Sequence, residues 1–224
     1  MITRRNVFAD RREAGRELAD AVAALDLDDP VVLALPRGGV PVGYEVAKRL
    51  KAPLDILLVR KIGAPGHAEY GIGALVDGAS PLVVIDEKSA RMVGAGRDYI
   101  EREVQRQLAE LERRRATYRT GAPPSLVGRS LVVVDDGIAT GGTVKAALQA
   151  LGKSGANRIV LAIPVAPRSS LQELGTLCDE IVSLSTPDPF FAVGSHYGNF
   201  DQTTDQEVVA LLTAARNWSR TAEA

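Results

Sequence analysis

One stretch constrains this chain more than any other: residues 131–143, reading Leu-Val-Val-Val-Asp-Asp-Gly-Ile-Ala-Thr-Gly-Gly-Thr. Four apolar residues run without a polar break, end in two carboxylates, and pass through a loop of glycines and hydroxyls into the helix-forming run 144–153. A strand with no polar alternation is buried on both faces, as in the middle of a parallel sheet covered by helices. Ligands of such sheets collect beyond the carboxyl ends of the strands, so Asp135 and Asp136 stand where a ligand would bind.

The loop's composition says what kind of ligand. Gly137, Gly141 and Gly142 let backbone approach an anion closely, Thr140 and Thr143 add hydroxyl donors, and the following helix offers free N–H groups at its positive end. That is a phosphate cradle. Two carboxylates beside it would repel the same phosphate, so they suit sugar hydroxyls, or a divalent cation, one sugar-length away. Phosphate at one end and a diol at the other describe a 5-phosphoribosyl group.

In order and spacing, the four hydrophobic residues, the acidic pair, three residues, Thr-Gly, one residue and Thr form the phosphoribosyl-pyrophosphate (PRPP) signature, and the chain resembles the type I phosphoribosyltransferases. The resemblance implies that Asp135 and Asp136 bind the ribose 2′ and 3′ hydroxyls. It implies that Ala139, Thr140, Gly141, Gly142 and Thr143 wrap the 5′-phosphate. It also implies Mg2+ as cofactor, with Asp135 and Asp136 as its protein ligands, direct or through water, and a homodimer.

Other stretches fit this frame. Residues 31–35 read as a first buried strand ending in Pro36-Arg37-Gly38-Gly39 before a helix starting near Pro41. By itself this is a βα turn with an arginine; by resemblance it is the pyrophosphate loop, with Arg37, Gly38 and Gly39 holding the diphosphate. Some members of the family have a cis peptide there, expected at Pro36–Arg37 or beside it. A strand over 54–59 runs into the glycine-rich stretch 60–73, which reads as a long loop. The family has a flexible lid at this place, about residues 60–80, where Arg60 and Lys61 would neutralise the departing diphosphate. Catalysis is thereby placed on Arg37, Lys61 and Asp136. No spacing assigns roles to His67, Glu69 or Tyr70.

Further strands are expected over 72–76 and 82–85 around a turn at 77–80, then a long helix over 97–119 whose arginines 113–115 form a solvated face. After the central motif come a strand over 158–165, a helix over 171–177 and a strand over 180–184. Asp10 is placed to cap a first helix, and Thr204 with Glu207 to open a last one carrying Val208, Leu211, Leu212 and Trp218. Alternating strands and helices give an α/β fold, a mostly parallel sheet flanked by helices, in one domain, and the resemblance implies a small hood on it. Residues 186–224 supply part of that hood and the final helix. That segment holds five of the chain's ten aromatics, and Phe190, Phe191 and Val193 are the expected base pocket.

The acceptor stays open. Residues 191–194 resemble the hood of the 6-oxopurine enzymes, yet those enzymes place an acid where this chain has Ala139, and the loop itself resembles the adenine enzymes. The expected activity is transfer of the phosphoribosyl group from PRPP to a nitrogenous acceptor with release of diphosphate. A non-catalytic PRPP sensor is the alternative. With 27 basic against 28 acidic residues there is no electrostatic drive toward nucleic acid, and no apolar run is long enough to span a membrane. The single cysteine, Cys178, excludes an intrachain disulfide and fits the cytoplasm and a small packed side chain.

Overall fold

The computed structural model describes residues 8–77, 81–118 and 121–219; the side chains of 68–69 and 217–219 fall outside that description. The expected turn at 78–80, the helix end at Arg119, and the side chains of Glu69 and Trp218 therefore lie outside the described residues.

Helix α1 (Arg11–Ala23) is capped by Asp10, whose carboxylate accepts the Glu13 amide at 2.8 Å. Strand β1 (Pro30–Ala34) leads to helix α2 (Gly39–Leu50) and edge strand β2 (Leu54–Ile56). Strands β3 (Val59–Ala64), β4 (His67–Val76) and β5 (Leu82–Ile85) are followed by the short helix α3 (Glu87–Met92) and the long helix α4 (Arg97–Tyr118). The motif strand β6 (Ser130–Val134) feeds α5 (Gly142–Leu151). Strand β7 (Arg158–Val165), α6 (Arg168–Leu174), β8 (Glu180–Ser185), a 3-10 turn (Val193–His196) and α7 (Asp205–Ser219) complete the order.

Five strands form one parallel sheet in the order β2-β1-β6-β7-β8. The unbroken apolar run now has its reason. Val132 and Val134 pack with α1, α2 and α7 on one face, while Leu131 and Val133 pack with α5 and α6 on the other. All four are fully buried, each worth on the order of 2 kcal/mol of apolar transfer, so β6 is held at the centre.

The region read as a loop is instead strand-paired. Strands β3, β4 and β5 make a separate antiparallel sheet, which closes a small core of its own from Ile62, Ala64, Ile72, Ala90 and Ala95. Its glycines serve packing and register. A Cβ on Gly73 would strike the neighbouring strand at Val84, and the pairing slips on both sides of Gly63. The single strand expected over 54–59 is also divided: Leu57 still donates to Ala34 O (2.8 Å), whereas the Leu58 carbonyl accepts from Asp77 (2.8 Å), so the chain changes sheets there. Helix α3 was not anticipated, being too short for a periodic pattern; Asp86 caps it, accepting the amides of Lys88 (3.0 Å) and Ser89 (3.1 Å). Arg113 and Arg114 pair with Glu110 as a solvated face should, but Arg115 forms a buried ion pair with Asp77 at 3.1 Å.

At α7 the capping box is present. The Thr204 amide donates to Glu207 Oε2 (2.8 Å) and the Glu207 amide donates to the Thr204 hydroxyl (3.2 Å). Replacing Thr204 by alanine should cost about 1 kcal/mol of stability, read by urea denaturation at neutral pH. Hydrogen bonds from Thr204 hold the Glu207 carboxyl below its ordinary value of 4.5. Its contribution is therefore complete above that pH and lost as pH falls through the lowered folded value, so the gap between wild type and variant should narrow in acid to what the Glu207 amide's bond to the Thr204 hydroxyl supplies.

Candidate active site

The site lies beyond the carboxyl ends of β1 and β6. The Leu35 amide donates to the Val134 carbonyl at 2.9 Å, joining the two strand ends, and the chain turns into α2 with Gly39 donating to Leu35 O at 3.0 Å. The peptide between Pro36 and Arg37 is cis, at the expected place. Turn and acidic pair are packed directly together. A Cβ on Gly38 would fall on the Asp136 carboxylate, and one on Gly39 would lie 2.8 Å from the Val134 carbonyl oxygen and 2.9 Å from the Asp135 Cα.

Between β6 and α5 the loop presents its backbone. Ile138 anchors it, buried and donating to Val165 O at 2.9 Å. Gly141 caps α5 with φ +73°, a conformation that favours glycine. Among the described residues, no amide from Ala139 to Thr143 donates to a protein acceptor, and Ala139, Thr140, Gly142 and Thr143 are exposed. Five free donors at the start of a helix are the groups that binding an anion there would require.

The carboxylates are less free than expected. Asp135 Oδ1 accepts the Asp136 amide at 2.9 Å, and Asp136 Oδ2 accepts Arg11 Nε at 2.7 Å. Both side chains of the Arg11–Asp136 ion pair are nearly buried, 11% and 15% exposed. Arg11 also donates to Asp201 O (2.8 Å), and its guanidinium lies 3.9 Å from the centre of the Phe200 ring. The Tyr197 hydroxyl donates to the Asp136 carbonyl at 2.5 Å. Burial and then the Asp136 charge push the Asp135 carboxyl well above the ordinary range. Burial raises Asp136 as well, while the hydrogen bond and charge of Arg11 pull it back.

Two basic residues stand elsewhere than expected. The Arg37 side chain is not turned onto the phosphate loop: it pairs with Asp205 at 3.6 Å and lines a cleft of about 380 Å³ with Arg113, Arg114 and Tyr118. Lys61 points from β3 to the opposite end of the loop, its ammonium 4.0 Å from where a Gly142 Cβ would be. Neighbouring Arg60 is tied to α4 through Gln107 (2.9 Å), away from both loops. Strand alternation explains the split, since consecutive residues on β3 face opposite sides.

The anticipated base pocket is brought together only in part. Val193 packs against Gly137, at the loop. Phe190 stacks on His196 with ring centres 5.5 Å apart, and Phe191 is 82% exposed. The aromatics beside the acids are Tyr197 and Phe200, which sequence reasoning did not single out. Arg11 was missed for the same reason: its partner is 125 residues away, and no local pattern marks it. Cys178 is half-buried beside Leu174, its thiol raised by burial. His67 and Tyr70 are exposed on β4.

For a divalent ion the donor set is small. Among the described residues no cluster of three or more His, Cys, Asp or Glu occurs. One oxygen of each aspartate is already engaged, and the remaining two fit Mg2+, which takes one or two carboxylates when substrate phosphates and water supply the rest. Among the described residues, no helix is long and apolar enough to cross a membrane.

Known proteins share this arrangement. The family model for the phosphoribosyl transferase domain matches residues 8–198. Two Mycobacterium tuberculosis proteins, Rv0571c of strain H37Rv and MT0597 of strain CDC 1551, both provisionally named phosphoribosyl transferases, are 48% identical to this chain over 211 residues. Those alignments take in 93% of this chain and 47% of each relative, so the chain spans about half the length of the curated relatives it matches. The crystal structure of TT1426 from Thermus thermophilus is 43% identical, with a TM-score of 0.82 over 93% of this chain and 98% of that one. With the acid-ended central strand, the glycine loop and the five-stranded parallel sheet in place, the chain belongs to the phosphoribosyl transferase domain family and has its type I fold.

Proposed function

We propose that the chain transfers the 5-phosphoribosyl group of PRPP to a nitrogenous small molecule, releasing diphosphate. The observation that carries this reading is the sequence of features along one loop: two part-buried carboxylates, then five free amides at the start of α5. The acids suit the pentose hydroxyls and the amides suit the 5′-phosphate.

In this mechanism the acceptor nitrogen attacks the anomeric carbon as its bond to diphosphate breaks, and no protein nucleophile is needed. The turn 36–39 supplies backbone donors for the leaving group. Bound Mg2+ would neutralise charge on the diphosphate, with Asp135 and Asp136 offering the carboxylate oxygens that remain. Lys61 stands at the 5′-phosphate end of the loop, which makes it a donor-binding group and not a leaving-group cation. Arg37 reaches the diphosphate only by leaving Asp205. The Arg11–Asp136 pair favours a second reading, a PRPP sensor, because it occupies one oxygen of a proposed ribose ligand.

The deciding experiment measures diphosphate release from PRPP and magnesium across purines, pyrimidines and simple amines, beside PRPP binding by calorimetry. Turnover with one acceptor class supports the transferase; binding with no release from any acceptor gives the sensor. Asp136→Asn should weaken PRPP about tenfold or more, the worth of a hydrogen bond to a charged group, with the unfolding midpoint retained. Unchanged affinity would remove Asp136 from the donor site.

A further inference from the structure

We propose that the groove between α5 and the antiparallel sheet is a second ligand site, one that takes a nucleotide-sized organic phosphate other than the sugar-phosphate donor. The groove encloses about 710 Å³, within the range of small-molecule pockets. Its helical wall is Gly142, Lys145, Ala146 and Gln149, one face of α5, so it runs from the phosphate loop down the length of that helix. A donor seated on the loop would extend toward Asp136 instead. The two ligands would share only the region of Gly142 and Lys61.

Charge identifies the class of occupant. Lys61, Lys88 and Arg91 reach this groove from β3 and α3, and none of them is ion-paired among the described residues. The other lining charges are mostly committed: Lys145 is paired with Glu173, and Asp86 caps α3. Among the described residues three cations outside any ion pair therefore face two carboxylates, Glu87 and Asp86, the latter interacting with Lys88, and the lining keeps a net positive charge. Such a groove concentrates anions, and several phosphates on one molecule would satisfy cations from separate elements at once.

Shape adds the organic part. Gly71 and Gly73 line the groove two residues apart on the same face of β4. Gly73 is required for packing against Val84, but a Cβ on Gly71 would meet nothing within 4 Å. The strand thus presents bare backbone to open space, flanked by Val84, Ile85 and Ala146, where a flat ring can lie.

Sharing Lys61 with the phosphate loop gives the site a regulatory consequence, and this clause alone rests on the proposed function. An occupant that draws Lys61 into the groove lowers affinity for PRPP, and PRPP lowers affinity for the occupant by the same factor.

ATP is the probe, since it joins three phosphates to a flat ring. Calorimetry on the full chain, without magnesium and at low salt, should detect ATP binding that weakens as salt is added. The double variant Lys88→Ala/Arg91→Ala should bind ATP about tenfold or more weakly and PRPP as wild type does. Gly71→Val, which fills the floor without changing a charge, should also weaken ATP, and unfolding midpoints near wild type establish that both variants fold. Absence of ATP binding to wild type at millimolar concentration overturns the site. Undiminished ATP binding in both variants also overturns it, by placing ATP on the phosphate loop. Conversion of a dimer to monomers by Lys88→Glu/Arg91→Glu would make the groove a subunit contact instead. ATP binding is read without PRPP, so a failure of the PRPP reading leaves this one separately decided.

Discussion

Arg11→Ala should lower the unfolding free energy by about 3 kcal/mol at pH 8, because removing one partner of a buried ion pair leaves the other charge uncompensated. Asp136 keeps its burial and its neighbour Asp135, and loses the one cation that offsets them. Its folded-state pKa, already above the ordinary 3.8, rises further. Because the folded state then holds its proton more tightly than the unfolded state, stability declines as pH rises through the interval between the two values, and is level above it. The penalty should thus be large at pH 8 and mostly absent below about pH 3, where both states are protonated. Wild type should show the same sign with a smaller amplitude. Urea denaturation across pH measures both. Equal stability of variant and wild type at pH 8 would mean that the pair contributes nothing, and PRPP affinity in the same variant tells whether Arg11 also positions Asp136 for the donor.

Gly39→Ala should be comparably damaging, at about 2–3 kcal/mol, through overpacking. A methyl there meets the Val134 carbonyl and the Asp135 Cα, both backbone atoms of the central strand's end, and neither can swing aside as a side chain would. Relief requires the turn 36–39 to separate from the acidic pair, so PRPP binding should be lost along with stability. Gly142→Ala is the control, since its methyl would find only the Lys61 ammonium at 4.0 Å. Its unfolding midpoint should stay near wild type. A Gly39→Ala protein of wild-type stability that binds PRPP normally would show that turn and acids need not touch.

What could be read from the sequence was whatever carries a local period. The run 131–134 announced a doubly buried strand because both faces demand apolar residues, and 158–165 matched β7 residue for residue. Glycines at 60–73 misled because the residue that permits a loop also permits a bulge at Gly63 and close strand approach at Gly73, and composition alone does not separate these. The acids and the free amides were legible from the motif, and the cis bond at Pro36–Arg37 from the family resemblance alone. Arg11, Tyr197 and Phe200 were not, since their importance arises only when segments far apart in the chain are folded onto Asp136. Side-chain direction was equally hidden: Arg37 and Lys61 were placed by loop membership, whereas packing against α4, α7 and α5 decides where they point.

The meeting of Phe8 and Arg11 with Tyr197 and Phe200 has a temporal consequence. A chain made from its amino end carries α1 and the acid-tipped strand out long before residues 197–201 exist, and a contact across some 190 positions closes only late. Until then Asp136 lacks its tyrosine strut and the ring against which its arginine rests. A nascent polypeptide should accordingly pair β1 with β6 well before it can grip a sugar phosphate, and refolding monitored by backbone signal should outpace recovery of ligand affinity.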